Sequence, residues 1–180
     1  NYAKVKGYFI ILDSSHSHGL LANQKSLYSE VDAQVFSMYP TKILTSATGG
    51  VVLSNNDKLI NYLKSARHHG ENKSLEDCDK LGGGFYSSEF DAALGVVMFN
   101  SISKIVAERK YIADLYNSEI SKISGIRALV NSESVYYKYQ ILCSNKDQRE
   151  SIKTYMMDQG IRTGAVYNPP IHLQPLYKGK

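Results

Sequence analysis

The sequence predicts an α/β domain followed by a small α+β unit. Short apolar runs that end at polar residues are typical of buried strands, and they alternate with stretches of helical periodicity over 57–69 and 88–122. The 180 residues are 43% apolar and 21% charged, which is the composition of an ordinary globular protein. We place the domain boundary near residue 124, with 1–123 as the larger domain and 124–180 as the smaller, incomplete one.

Three strands are predicted in the first half of the chain. Residues 7–12 form a continuous apolar run, which is typical of a strand buried on both faces, and the run ends at Asp13. Residues 32–39 predict a second strand that Pro40 closes, and residues 50–54 predict a third, short strand.

Two helices follow these strands. Over 57–69 an apolar stripe recurs at helical spacing, Asn55 or Asn56 can cap the start, and Gly70 lies where a terminating glycine belongs. After a polar, glycine-rich stretch over 71–87, apolar residues recur every three or four positions over 88–122. The pair at 100–101, Asn and Ser, can mark a bend or break in this long helix.

The last third of the chain has a different pattern. It predicts strands over 126–130 and 135–143, a helix over 147–159 that Gly160 ends, and a further strand over 161–167. This order of elements indicates a small α+β unit.

Charge and hydropathy argue against two classes of partner. The net charge is +4, from 21 basic and 17 acidic residues that are scattered, whereas nucleic-acid binders commonly carry a dense basic stripe. The longest apolar run, residues 92–99, is far too short to span a bilayer. We therefore expect neither a nucleic-acid nor a membrane partner.

Cysteines and histidines point to no metal or disulfide. Cys78 and Cys143 have no CxxC partner, so we interpret them as reduced thiols of a cytoplasmic protein. The five histidines lack a set of partner ligands at metal-binding spacing, so we predict no metal site.

Asp13, Ser37 and Lys42 form the constellation that could carry chemistry. Asp13 and Ser37 end predicted strands, and ligands of open α/β sheets bind outside the carboxyl ends of strands. Lys42 follows a strand-ending turn, and a lysine partly removed from water offers its amine as a nucleophile. An imine-forming lysine with an aspartate for a pyridinium is the protein contribution to pyridoxal 5'-phosphate (PLP) chemistry, and Ser37 could contact the phosphate. From the spacing alone, a loop-capping aspartate and a solvated lysine are the commoner interpretation of these positions.

The amino-acid sequences of several segments, taken in order, favour the PLP interpretation. Residues 37–42 read Ser-Met-Tyr-Pro-Thr-Lys, residues 49–56 read Gly-Gly-Val-Val-Leu-Ser-Asn-Asn, and residues 67–70 read Arg-His-His-Gly. They resemble the Ser-Phe-x-Pro-Thr-Lys, Gly-Gly-x-x-x-Thr-Asn and Arg-x-His-Gly motifs of the DegT/StrS family of PLP-dependent sugar aminotransferases. Further resemblances to this family lie at 11–19, 89–95, 160–163 and 167–172, so that the likeness covers nearly the whole chain.

The resemblance implies a fold and a set of roles. The fold would be the later part of the large PLP domain of the aspartate-aminotransferase-like fold (fold type I), followed by a small α+β domain. Lys42 would form the Schiff base with PLP, Asp13 would pair with the pyridine nitrogen, His16 would lie beside the ring, and Ser37 would contact the phosphate. A related dehydratase branch has histidine in place of the Schiff-base lysine, and Lys42 argues against that branch.

His172 has two possible roles, and His18 has one favoured interpretation. The resemblance implies that His172 faces the sugar-nucleotide substrate, but a loop histidine packed on Pro170 and Pro175 is an open alternative. For His18 a plain loop residue is the favoured interpretation.

The activity implied is PLP-dependent transamination of a nucleotide-linked keto sugar, with glutamate as the amino donor, by a cytoplasmic homodimer. Two departures keep other interpretations open. Thr48 replaces the glutamate that usually precedes the double glycine, and glycines at 82–84 occupy the region where the family has an asparagine that reaches the partner subunit's cofactor. The alternatives are a non-catalytic sugar-nucleotide-binding or regulatory relative that keeps the fold, and an α/β scaffold without PLP.

The ends of the sequence are also informative. The chain begins at Asn1, with no initiator methionine and no signal-peptide core, and runs almost at once into a strand-like segment. Compared with members of the family, the chain lacks the family's N-terminal third and its last C-terminal helix. We expect a chain cut at both ends, which binds PLP weakly or not at all in isolation.

Overall fold

The computed structural model of the protein describes residues 2–20, 30–72, 74, 77–131 and 133–177. The chain divides into two compact units, which are described separately. The first comprises Asn1–Ser118 and Val130–Tyr139, and the second comprises Glu119–Leu129 and Gln140–Lys180. The boundary near residue 124, between domains over 1–123 and 124–180, stays a prediction.

The chain contains helices and short strands. The first unit contains α1 (Tyr2–Val5), β1 (Ile11–Asp13), β2 (Ala33–Ser37), β3 (Gly50–Leu53), α2 (Asp57–Ala66) and α3 (Glu89–Ile120) as far as Ser118. The second contains β4 (Ile126–Ala128), β5 (Ile141–Cys143), α4 (Lys146–Asp158) and two 3₁₀ turns, Ile171–Leu173 and Pro175–Tyr177.

The sheet of the first unit has the strand order β1-β2-β3 in the described part of the chain. β1 pairs with β2 in parallel, with Asp13 opposite Val35, and β3 pairs with β2 antiparallel, with Gly50 opposite Ser37. Because β1 and β2 are parallel, their carboxyl ends lie at the same edge of the sheet. In the second unit, β4 and β5 form an antiparallel pair.

The first strand differs from its prediction. The structure has a strand over Ile11–Asp13 rather than over 7–12, and the side chains of Tyr8, Phe9 and Ile11 are 60%, 55% and 62% exposed. The expectation of burial on both faces is therefore wrong. β1 lies at the end of the strand order, so among the described residues no strand covers its outer side.

Two strands predicted in the last third also differ from the structure, one in its extent and one in its existence. Of residues 135–143 only Ile141–Cys143 form a strand, because Tyr136 has a left-handed backbone (φ +46°) and its N–H donates to Ser134 Oγ instead of to a neighbouring strand. Residues 161–167 form no strand, and Ile161 and Val166 are exposed rather than packed between layers.

The helices agree better with the sequence. Asn56 caps α2, because its side chain accepts a hydrogen bond from the Leu59 N–H at 3.1 Å. The long helix α3 is continuous through residues 100–101, so the break that these residues could have marked does not occur.

α3 is long and apolar enough to cross a membrane by length and composition alone, with a mean hydropathy of 1.4 over its most apolar 18-residue window. Core helices of soluble proteins reach this length and hydropathy as well, but they are mostly buried, whereas only 11% of this window is buried in the described part of the chain. α3 also supplies Val106 to the buried core of the first unit, where it meets Ile43 and Val135.

Gly70 is required by the turn that ends α2. Its φ is +82°, and a Cβ added there would overlap the carbonyl oxygen of Lys80. Gly82 packs closely against the same turn, since a Cβ added at Gly82 would overlap the Gly70 nitrogen. The glycine-rich stretch is thus held tightly against the end of α2.

We expect Gly70→Ala to lower the free energy of unfolding by about 1–3 kcal/mol, because alanine adds both backbone strain and a steric overlap. Urea unfolding measures the change. Gly164→Ala is the matched control, since a Cβ there has no atom within 4 Å, and it should shift stability by less than about 0.5 kcal/mol. Equal stability of the two variants would contradict this account of the turn.

Candidate functional site

The carboxyl edge of the parallel pair β1 and β2 brings the predicted residues together. Asp13 ends β1 and Ser37 ends β2, and the chain then turns through Tyr39 to Lys42, whose N–H donates to the Tyr39 carbonyl at 2.9 Å. Lys42 is half-buried, and the next residue, Ile43, is only 2% exposed in the core. The core therefore fixes the backbone that carries the lysine.

Asp13 is held as a carboxylate. Hydrogen bonds from the Ser15 side chain and the Ser15 N–H, the latter at 2.9 Å, lower the pKa of Asp13. The Lys42 ammonium adds to this, and so does the His16 imidazolium at the acidic pH where His16 is protonated. An ionised carboxylate at this edge can pair with a protonated ring nitrogen or another cation.

His16 lies between opposing charges. Partial burial lowers the pKa of His16, the charges of Lys42 and Lys138 lower it further, and only the Asp13 carboxylate raises it. The imidazole is therefore neutral at neutral pH, when it can both donate and accept a hydrogen bond.

Tyr137 also lies at this edge, although the sequence did not predict it as a site residue. Its ring stacks on His16 with centroids 4.3 Å apart, and the Lys42 amine lies 5.2 Å from the ring centroid. Its hydroxyl makes a hydrogen bond of 3.1 Å with Thr41 Oγ1. The sequence does not distinguish Tyr137 from the other thirteen of the chain's 14 tyrosines. It lies in the part of the predicted strand 135–143 that is not a strand in the structure.

His18 lies in the turn after β1, but it is not a solvent-exposed loop residue. It is 3% exposed, its ring lies 5.4 Å from that of Phe36, and neither ring nitrogen has a hydrogen-bond partner in the described part of the chain. Burial lowers the pKa of His18, and the Ser37 backbone opposes this in part. The sequence gives no signal for such burial, because the flanking residues are polar.

The remaining predicted site residues have plain surroundings. Ser37 is half-buried, and its Oγ accepts from the Tyr39 N–H at 3.4 Å, which leaves its O–H available to donate. Thr48 donates to Asp91 Oδ2 at 3.4 Å. His172 belongs to the second unit, where it lies exposed in the Ile171–Leu173 turn, and its predicted substrate contact stays a prediction.

Metal ligands are not grouped in the structure. Among residues 2–20, 30–72, 74, 77–131 and 133–177, no cluster of three or more His, Cys, Asp and Glu side chains could hold a metal ion. Cys78 and Cys143 are free thiols.

A comparison with known protein families shows the family of this chain. The profile of the DegT/DnrJ/EryC1/StrS aminotransferase family matches residues 1–180. The chain belongs to this family. The resemblance noted in the motifs is thereby confirmed.

Individual members of the aminotransferase family agree with this assignment. A UDP-4-amino-4,6-dideoxy-N-acetyl-beta-L-altrosamine transaminase of Campylobacter jejuni is 31% identical over 94% of this chain and 47% of its own length. A GDP-perosamine synthase of Escherichia coli O157:H7 is 25% identical over 99% of this chain and 49% of its own length. This chain thus spans about half the length of these relatives.

A solved structure confirms the fold. The Helicobacter pylori aminotransferase PseC, described as involved in the biosynthesis of pseudoaminic acid, has a TM-score of 0.86 and 26% identity, over 98% of this chain and 49% of its own. The α/β, aminotransferase-type fold predicted from the sequence is therefore correct. Since the match covers nearly all of the chain, α3 is part of this shared fold.

The charges around His16 lead us to expect opposite shifts of its pKa in two variants. Asp13→Asn should lower the pKa of His16, because it removes the negative charge that stabilises the imidazolium, and Lys42→Met should raise it, because it removes a repelling charge. An NMR titration of the His16 ring protons measures both. Asp57→Asn, an exposed change in the first turn of α2, is the control. Shifts of the same sign in the two site variants would contradict the geometry.

His18 should make stability depend on pH. Burial places its folded-state pKa below the unfolded value of about 6.5, so the unfolded chain takes up the proton first as the pH falls. Its contribution to stability is thus present above about pH 6.5 and lost below it. We expect urea unfolding to show a smaller stability loss between pH 8 and pH 5 in His18→Gln than in the wild type. Equal losses would show that His18 titrates as it does in the unfolded chain.

Proposed function

We propose that the chain is part of a PLP-dependent enzyme that transfers an amino group to the keto carbon of a nucleotide-linked sugar, with glutamate as the amino donor. The observation that carries this proposal is a half-buried lysine at the same sheet edge as an ionised aspartate, in a chain of the aminotransferase family. Asp13 ends β1 and Lys42 follows the end of β2, and the parallel pairing of these strands supports a shared site.

The side chains at this edge fit the chemical groups of PLP. Lys42 offers the primary amine that would hold the cofactor through its aldehyde carbon, and the Asp13 carboxylate would pair with the protonated pyridine nitrogen. His16 would lie beside the ring, and the Ser37 hydroxyl would donate to the phosphate. When bound, PLP supplies an electron-withdrawing ring that stabilises negative charge on the carbon next to the transferred nitrogen.

The protein's own part is to hold groups and move a proton. The ionised Asp13 would keep a proton on the ring nitrogen of a bound PLP by charge pairing, and Lys42 Nζ would carry the proton that leaves the donor's Cα. The neutral His16 can accept or donate at the ring edge without adding charge. The exchange balances: glutamate becomes a 2-keto acid while the keto sugar becomes an amino sugar, and no further oxidant or reductant is consumed.

The substrate class rests on the relatives. The two relatives described above are named for a UDP-linked and a GDP-linked sugar. We infer a nucleotide sugar as substrate here, with His172 as a residue that faces it, and a cytoplasmic homodimer as the working form.

A second candidate function is a non-catalytic relative that binds a sugar nucleotide or acts as a regulator. Thr48 favours it, since the hydroxyl at this position contacts Asp91 and offers no carboxylate where the family usually has glutamate. This candidate predicts nucleotide-sugar binding without any change in the sugar.

Borohydride reduction of the full-length protein with PLP tests the proposal. We expect one reduced PLP adduct, mapped to Lys42 by peptide analysis. Lys42→Ala should abolish the adduct and lower transamination by at least about three orders of magnitude. Lys104→Ala, an exposed lysine of α3 with 81% side-chain exposure, is the control and should keep both.

Two results would overturn the proposal. One is an adduct that is absent or that maps to another lysine. The other is equal nucleotide-sugar affinity in the wild type and Lys42→Ala with transamination in neither, which would establish the binding or regulatory candidate.

A further inference from the structure

Tyr137 contacts the proposed site from a part of the chain far from it in sequence. Three contacts converge on this side chain: the His16 ring at 4.3 Å, the Lys42 amine at 5.2 Å from the ring centroid, and the Thr41 hydroxyl at 3.1 Å. Thr41 and Lys42 belong to the turn after β2, and His16 to the turn after β1. One aromatic ring thus bridges both turns that carry the site.

The backbone around Tyr137 is fixed by the core. Val135 is 4% exposed and packs with Ile43 and Val106, and Tyr136 is 8% exposed. The Tyr136 carbonyl accepts a hydrogen bond from Arg109 Nη1 of α3 at 3.1 Å, and its N–H donates to Ser134 Oγ at 3.0 Å. These contacts hold the left-handed turn at Tyr136 that directs the next residue towards the sheet edge.

The same core residue supports both partners. Ile43 follows Lys42 directly, and the Tyr137 side chain packs against the cluster that Ile43 forms with Val106 and Val135. Ile43 and Tyr137 therefore share one core, so the backbone that carries Lys42 is held close to the Tyr137 ring by the fold.

We propose that Tyr137 is a positioning residue, which holds the Lys42 amine and the His16 ring in place for the cofactor through its aromatic face. A cation attracted to the face of a tyrosine ring has fewer orientations open to it than a solvated one, and a stacked imidazole has a fixed plane. The hydroxyl has a lesser part, because it only ties the ring to Thr41. This inference rests on the proposed function of Lys42.

The ring also explains the surroundings of His16. Stacking removes water from one face of the imidazole, and burial is the largest cause that lowers its pKa. The groups that face His16 are Asp13, Lys42 and Lys138, and the Lys138 amine lies 5.1 Å from the same tyrosine ring. Removal of the ring should therefore be visible at His16 even without cofactor.

The test uses three variants of the full-length protein. Tyr137→Leu replaces the ring with a smaller, non-planar apolar side chain, which removes the aromatic face and uncovers part of the His16 ring. Tyr137→Phe keeps the face but removes the hydroxyl, and Tyr139→Phe changes a half-buried tyrosine of the same segment whose hydroxyl donates to Asn117 at 2.8 Å. Should Tyr137→Leu fail to fold by circular dichroism, Tyr137→Met takes its place. The first readout is the His16 pKa by NMR without PLP, and the second is the rate at which the borohydride-reducible PLP adduct forms on Lys42.

We expect Tyr137→Leu to raise the pKa of His16 and to slow adduct formation by about tenfold or more, since a displaced amine loses its alignment. Tyr137→Phe and Tyr139→Phe should stay within about threefold of the wild-type rate with an unchanged His16 pKa. A wild-type rate and pKa in Tyr137→Leu would overturn the inference, as would a loss in Tyr139→Phe equal to that in Tyr137→Leu. If the wild type forms no adduct on Lys42, the proposed function fails, and the His16 pKa alone then decides whether the ring positions its neighbours.

Discussion

Parallel pairing of β1 with β2 is the constraint on which the site depends. The register with Asp13 opposite Val35 lets both strands finish at one edge, so that Asp13 and the turn from Ser37 to Lys42 lie together. A shift of β1 by one residue would turn the Asp13 side chain to the opposite face of the sheet. The acid, the amine and the hydroxyl are thus brought together by backbone pairing, before any side-chain contact between them.

Packing beneath that edge gives the site its rigidity. Ile43, Val106 and Val135 come from three separated stretches of the chain, and each is followed or preceded within a few residues by a group that matters for chemistry or positioning. The core therefore links the lysine turn, the long helix and the tyrosine segment. This explains why a residue as distant in sequence as Tyr137 can contact Lys42.

The sequence predicted the strand ends and helix α2 well, because polar residues and capping residues mark them locally. Asp13, Ser37, Asn56 and Gly70 all lie where such local signals place them. The site beyond the motif residues was not predictable in this way. Tyr137 follows a left-handed residue held by a hydrogen bond from Arg109, and alternating apolar residues there resemble a strand until that long-range contact is known.

A crystal structure of the full-length protein with PLP tests the central claim most directly. The account predicts continuous electron density between Lys42 Nζ and the cofactor, with the Asp13 carboxylate within about 3 Å of the pyridine nitrogen. Density that joins the cofactor to another lysine, or an Asp13 carboxylate turned away from the ring nitrogen, would contradict it.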